Sequence, residues 1–260
     1  MNFNTSNEAN DNYIYMTGEG TYEGTVYRLW KLGFEDGYWK VQNKVATSIT
    51  SYDIGGVVRL GSYVYVGNNA GPYIYRYLAT DLSGEIQCTF ASVPGGYAFP
   101  NDNNAIATDG TYLYILGYSG RERVIGKFAV SGTTITYQSS FSLGSAYHDV
   151  RLSWATMGCD GTYLYLTFAP AAASTNKRIR RYTLTGSSTT DFDYIGTPHP
   201  WFSDTTYEKR DLILGVFRYA NKWWIVEYKW EMMTRDSVGY YIEGSFVVGH
   251  PAPYLTEVTF

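Results

Sequence analysis

A six-residue phrase, Asp-Gly-Thr-Tyr-Leu-Tyr, occurs at 109–114 and again at 160–165, and nothing constrains the fold of this 260-residue chain more. Asp11-Asn12-Tyr13-Ile14-Tyr15 and Gly61-Ser62-Tyr63-Val64-Tyr65 are looser copies, and Asn221-Lys222-Trp223-Trp224-Ile225 is a fifth. Taking the first aromatic residue as anchor gives Tyr13, Tyr63, Tyr112, Tyr163 and Trp223, at spacings of 50, 49, 51 and 60. A second signature follows each anchor: an aliphatic residue, any residue, a base, then an apolar one. It reads Val26-Tyr27-Arg28-Leu29, Ile74-Tyr75-Arg76-Tyr77, Ile125-Gly126-Lys127-Phe128 and Ile179-Arg180-Arg181-Tyr182, with Val238-Gly239-Tyr240-Tyr241 as a blurred fifth. Two signatures phased together mean that one supersecondary unit is repeated and that its copies bury their apolar faces on one another.

Each unit parses into four short strands. The first is apolar (Val57–Leu60, Ala105–Thr108, Trp154–Met157, Leu212–Phe217), and an Asp-Gly or Gly-Ser turn leads from it to the Tyr-x-Tyr strand. The strand with the base comes third. A turn such as Asp81-Leu82-Ser83-Gly84 or Val130-Ser131-Gly132-Thr133 then leads to an outer strand near Ile86–Phe90 or Ile135–Gln138. No segment keeps a 3.6-residue apolar period, so helix is expected to be scarce. Tyr63-Val64-Tyr65-Val66 alternates phenols with valines, and both sets are apolar, as befits a sheet sandwiched between two neighbours. The 27 tyrosines are thus read mainly as packing between sheets. The expected architecture is all-β: a five-bladed β-propeller of four-stranded antiparallel blades, a single domain over 1–260.

The phrases Tyr63-Val64-Tyr65-Val66-Gly67-Asn68-Asn69 and Ala105-Ile106-Ala107-Thr108-Asp109-Gly110-Thr111-Tyr112-Leu113-Tyr114 resemble those of sequence-repeat β-propellers, notably the YVTN-like and NHL-like repeats. In blade number the chain is similar to tachylectin-like lectins and to some five-bladed glycosidases. The resemblance implies architecture alone, since such scaffolds bind proteins, sugars or RNA, or hold active sites. Ring closure is expected from the C-terminus. Residues 2–9 are too polar for a buried innermost strand, whereas Tyr254-Leu255-Thr256-Glu257-Val258-Thr259-Phe260 alternates well enough to complete the first blade. The alternative places that segment at the outer edge of the fifth.

Composition removes several functions. A net charge of −4 gives no reason to bind nucleic acid or an anionic membrane, despite the run Lys177-Arg178-Ile179-Arg180-Arg181. No stretch approaches the about eighteen apolar residues of a membrane span. The N-terminus lacks a secretory signal, which places the protein in the cytoplasm or on a virion. Cys88 and Cys159 read as buried thiols, with one disulfide between them left open. No nucleophile elbow, phosphate loop or zinc-protease motif is present, and no cofactor is expected.

Loops between blades and between second and third strands share one face of a propeller, where binding is expected. Here those loops pair tyrosine with carboxylate: Tyr52-Asp53, Tyr97 to Asp102, Tyr147-His148-Asp149, and Trp201 through Tyr207 to Asp211. The ligand-binding candidates are Tyr52, Tyr97, Phe99, Tyr147, His148, Trp201 and Tyr207, as rings that stack on a sugar or pack on a protein partner. His148, His199 and His250, spaced 51 and 51, form a weaker metal candidate. Asp53, Asp102 and Asp149 would serve a glycan-cleaving hydrolase if two lay roughly 5–9 Å apart. The favoured reading is a non-catalytic recognition or assembly module, a virion structural protein or one that binds a host glycan or protein, with the hydrolase as its alternative.

Overall fold

The computed structural model describes residues 2–4, 13–36, 38–49, 54–68, 71–99, 105–120, 122–143, 156–168, 177–194, 212–219, 222–228 and 254–258. They form strands and turns with no helix among them, arranged as five separate sheets.

The first sheet runs in order β1 (Asn2–Asn4), β2 (Tyr13–Tyr22), β3 (Thr25–Glu35) and β4 (Tyr38–Val45), each antiparallel to the next. The second follows the same order with β5 (Ile54–Leu60), β6 (Tyr63–Asn68), β7 (Tyr73–Leu78) and β8 (Ile86–Gln87). The third is built on β11 (Ile106–Thr108), β12 (Tyr112–Ser119), β13 (Glu122–Ser131) and β14 (Thr134–Ser142), extended by β9 (Thr89–Ala91) and β10 (Tyr97–Ala98). The fourth comprises β15 (Met157–Cys159), β16 (Tyr163–Phe168), β17 (Lys177–Thr183) and β18 (Ser188–Tyr194). In the fifth, β19 (Leu212–Tyr219) pairs with β20 (Lys222–Tyr228), which pairs with β21 (Tyr254–Val258). Every anchor aromatic thus lies on the second strand of its sheet.

First strands pack on first strands: β1 on β5, β5 on β11, β11 on β15, β15 on β19, and β19 on β1. Three described cores fill the seams. Tyr15 and Leu29 meet Val57, Val64 and Tyr77 between sheets one and two. Tyr65 and Ile74 meet Ile106, Leu113 and Phe128 between two and three. Tyr114 and Leu116 meet Met157, Leu164 and Tyr182 between three and four. The period-2 alternation explains this directly, because Val64 and Val66 face the preceding sheet while Tyr65 faces the following one. Cys88 and Cys159 are free thiols in two different seams.

Four expectations need correction. The C-terminal segment does not complete the first sheet: β21 pairs with β20, while Asn2–Asn4 pairs with β2 opposite Tyr15, Met16 and Thr17. Alternation marks a strand but does not say which edge receives it. The first strand of the fourth unit continues to Cys159, described as Met157–Cys159, while Trp154 and Ala155 of the expected Trp154–Met157 lie outside the described residues. The outer strand expected at Ile86–Phe90 is divided at Cys88, so that β8 pairs with β7 while β9 crosses over to pair in parallel with β14 of the third sheet. The base of the first unit is Lys31 rather than Arg28, since Lys31 stands opposite Tyr15 just as Arg76, Lys127 and Arg181 stand opposite Tyr65, Tyr114 and Tyr165.

Candidate functional site

The repeated polar residues converge on a structural device rather than on a cleft. Asp109 Oδ1 accepts hydrogen bonds from the Thr111 and Tyr112 amides, each at 2.8 Å, and its Oδ2 accepts one from the Tyr114 hydroxyl at 2.9 Å. Asp160 repeats the pattern with Thr162 N, Tyr163 N and the Tyr165 hydroxyl at 2.8, 2.7 and 2.9 Å. Only the glycine of each turn takes positive φ, 89° at Gly110 and 87° at Gly161. The aspartate works as an acceptor and needs no left-handed backbone. Buried phenols that donate to carboxylates hold their protons. Burial first and Asp160 second push Tyr165 up to about 12, and burial followed by the Asp109 bond raises Tyr114 as well.

The bases complete this device. Lys31 Nζ lies 4.0 Å over the Tyr13 ring, Arg76 4.2 Å over Tyr63, Lys127 3.9 Å over Tyr112 and Arg181 4.6 Å over Tyr163. Each base is thus opposite the second tyrosine of the phrase and stacked diagonally on the first. Two of them also reach the next sheet. Lys31 donates to the carbonyls of Ala79 and Thr80 at 2.9 and 3.0 Å, and Arg76 donates to that of Gly132 at 2.7 Å. Lys31 and Arg76 therefore tie the outer turn of one sheet to the strand pair of the sheet before it. Arg181, of the run Lys177–Arg181, belongs to this pattern, and in backbone register β18 sets Asp193 opposite Arg178 and Asp191 opposite Arg180.

Of the ligand-binding candidates, Tyr97 and Phe99 fall within the described residues and part company. Tyr97 and Ala98 pair with Ser119 and Tyr118 at the far end of β12. Phe99 is 2% exposed and joins the core, edge-on to Phe128 at 5.1 Å and stacked under Tyr97 at 5.9 Å. Gly117 and Gly126 make room for it. A Cβ at Gly126 would stand 2.8 Å from the Phe99 ring, and one at Gly117 would collide with the Ala98 carbonyl. Tyr97 is half-buried above this support, and beside it the Arg123 guanidinium lies 3.5 Å over the Tyr118 ring. Tyr52, Tyr147, His148, Trp201 and Tyr207 lie outside the described residues. So do Asp53, Asp102, Asp149 and Asp211, together with His199 and His250.

A second aromatic group, not singled out from the sequence, stands at the same end of the sheets. The β2–β3 hairpin carries Tyr22, Tyr27 and Trp30, and β4 brings Lys44 over them, 3.3 Å from the Tyr22 ring centre and 4.7 Å from that of Tyr27. Its hairpin is the longer one, with ten and eleven residues in β2 and β3 against six and six in β6 and β7. The sequence pattern alone assigns Tyr27-Arg28 to the repeat's basic signature.

Among the described residues no three His, Cys, Asp or Glu side chains cluster as a metal site, and no helix is long and apolar enough to cross a membrane. No family model and no curated protein matches the chain. In structure it is similar to a catalytically inactive virginiamycin B lyase from Staphylococcus aureus with quinupristin, at 14% identity over 96% of this chain and 71% of that one, TM-score 0.40. It is also similar to SapL1 lectin in complex with alpha methyl fucoside, at 15% identity over 88% and 76%, TM-score 0.42. A third is an alpha-L-arabinofuranosidase from Clostridium thermocellum, at 11% identity over 88% and 92%, TM-score 0.44.

Proposed function

We propose that the chain is a five-bladed β-propeller closed by packing of β19 on β1, and that it is a non-catalytic recognition module whose loop face takes a surface glycan or a protein partner. The closed ring is supported by the cyclic order in which the first strands pack. The observation that carries the recognition reading is the division of labour among the polar residues. The recurring carboxylates and bases, Asp109, Asp160, Lys31 and Arg76, are engaged in turns and seams at one end. At the other end Tyr97, an aromatic residue that the repeat does not require, rests half-buried on Phe99. A rigid scaffold with variable loops at one end is the usual platform for binding.

Tyr52, Tyr147, His148, Trp201 and Tyr207, which the sequence pattern assigns to the loops between units, are proposed as further contacts. Low charge and abundant Tyr, Asn, Thr, Ser and Gly suit a virion protein, and mass spectrometry of purified particles tests that placement. The purified chain applied to a glycan array is expected to give hits that weaken in Tyr52→Ala and Tyr147→Ala variants with unchanged thermal unfolding. An array without hits removes the glycan reading. Release of reducing ends from a bound glycan, abolished by Asp53→Asn or Asp149→Asn, would replace recognition by hydrolysis.

A further inference from the structure

The first hairpin is longer than the repeat requires. β4 pairs with β3 only from Leu29 onward, so Tyr22 through Arg28 stand past the end of the outer strand. Packing between sheets does not need that extension, because the first seam is filled by Tyr15, Leu29 and their partners lower down.

What the extension holds is an aromatic group fixed in place by several contacts. The Trp30 indole N–H donates to the Gly18 carbonyl at 3.0 Å, and its ring meets that of Tyr27 at 5.8 Å with a 59° tilt. Lys44 stands directly opposite Trp30 and carries its ammonium over all three rings, with Trp30 the farthest at 6.0 Å. Its backbone amide donates to Asn43 Oδ1, and the Asn43 amide in turn donates to the Asp81 carbonyl of the second sheet. Lys44 is thus anchored from below. Fixing rings and charge beforehand lowers the ordering cost that a ligand would otherwise meet.

The ammonium keeps its capacity to bind an anion. Among the described residues the Lys44 ammonium has neither an ion-pair partner nor a hydrogen-bond acceptor, whereas Lys40 pairs with Glu35 and Asp36. The carboxylate of the tip, Glu23, is exposed and is not paired with it. Tyr22 is 52% exposed and Lys44 is half-buried beside it, so an aromatic surface and a positive charge meet at the solvent boundary. The chain passes from β4 through residues 46–49 toward the second sheet, so this end of the hairpin is the end that carries the loops between sheets.

We propose that Tyr22, Tyr27, Trp30 and Lys44 form a binding site for an acidic saccharide, whose apolar ring face lies on the aromatic residues while its carboxylate pairs with the Lys44 ammonium. The inference rests on the recognition reading above and names the ligand class for one part of that face. A neutral sugar would leave the ammonium unused, and a bare anion would leave the rings unused; a sugar that bears a carboxylate uses both.

Calorimetric titration with oligogalacturonate and with sialyllactose, against lactose as the neutral counterpart and dextran sulfate as a polyanion, tests it. The intact chain is expected to bind at least one of the two acidic saccharides more tightly than lactose. Lys44→Met, which keeps the packing stem, should lower that affinity about tenfold and leave lactose unaffected. Tyr22→Ala, at an exposed position, should weaken the acidic saccharide without lowering the unfolding temperature. Acidic saccharides bound equally by both variants would overturn the site while leaving recognition by the loop face standing. Binding that follows charge alone, with dextran sulfate matching the saccharides and Tyr22→Ala without effect, would overturn the ligand class. No saccharide bound by the unaltered chain would overturn the inference, and an array that still gives hits would then leave the recognition reading intact.

Discussion

The Asp109 carboxylate and the Tyr114 hydroxyl lie 2.9 Å apart, the turn at one end of a strand gripping the middle of that strand. Tyr114 is fully buried, so its hydroxyl depends on this acceptor. Asp109→Ala leaves a buried phenol and two turn amides without it and is expected to cost about 2–3 kcal/mol. Tyr114→Phe removes donor and demand together and should cost about 1 kcal/mol. Urea unfolding of the double variant should show a loss smaller than the sum of the two.

The phasing of the base in the first unit gives a sharper contrast. Lys31 is buried and bridges to Ala79 and Thr80. Lys31→Met should therefore lower stability by about 1–3 kcal/mol, while Arg28→Met, at the position chosen from the sequence, should stay within about 0.5 kcal/mol. Equal effects in urea unfolding would refute the assignment.

Gly126→Ala places a methyl group 2.6 Å from Phe128 and 2.8 Å from Phe99. Overpacking of this kind costs about 1–3 kcal/mol. Because Phe99 supports Tyr97, the same change is expected to expose the 92–99 loop to limited proteolysis before the rest of the chain unfolds.

Alkaline pH should act through the cores. Burial pushes Tyr65 up to about 12 and Tyr165 to about 12, and raises the thiols of Cys88 to about 11 and Cys159 to about 12. These acids hold their protons in the folded chain at pH values where the unfolded chain has released them. Stability is therefore full below about pH 9 and falls as pH rises through 9 to 12. Chemical denaturation at stepped pH checks the sign. Phenolate absorbance should show the buried Tyr65 and Tyr165 titrating above the ordinary tyrosine range.

The sequence made the strands legible because alternation and a fixed period are backbone properties repeated many times over. Tyr13, Tyr63, Tyr112, Tyr163 and Trp223 all fall on second strands for that reason. Register between strands was harder. Val26-Tyr27-Arg28-Leu29 and Leu29-Trp30-Lys31-Leu32 fit one pattern equally, and only the pairing of Tyr15 with Lys31 separates them. The destination of Tyr254–Val258 and the crossing of Thr89–Ala91 are long-range choices that a local pattern does not encode. At the loop face, residue types were readable and depth was not. Tyr97 and Phe99 look alike in the sequence, yet Gly117 and Gly126 admit the second ring into the core and leave the first above it.

The crossing at Cys88 also separates inheritance from architecture. Thr89–Ala91 is written in the second copy of the repeat but hydrogen-bonded into the third sheet, in parallel with Thr134–Thr136. A copy excised or duplicated at the boundary of the sequence repeat would strip an outer strand from its neighbour. The module that can be exchanged without leaving an open edge is therefore displaced from the one that the repeat marks, and shuffling of units would have to cut between Gln87 and Thr89.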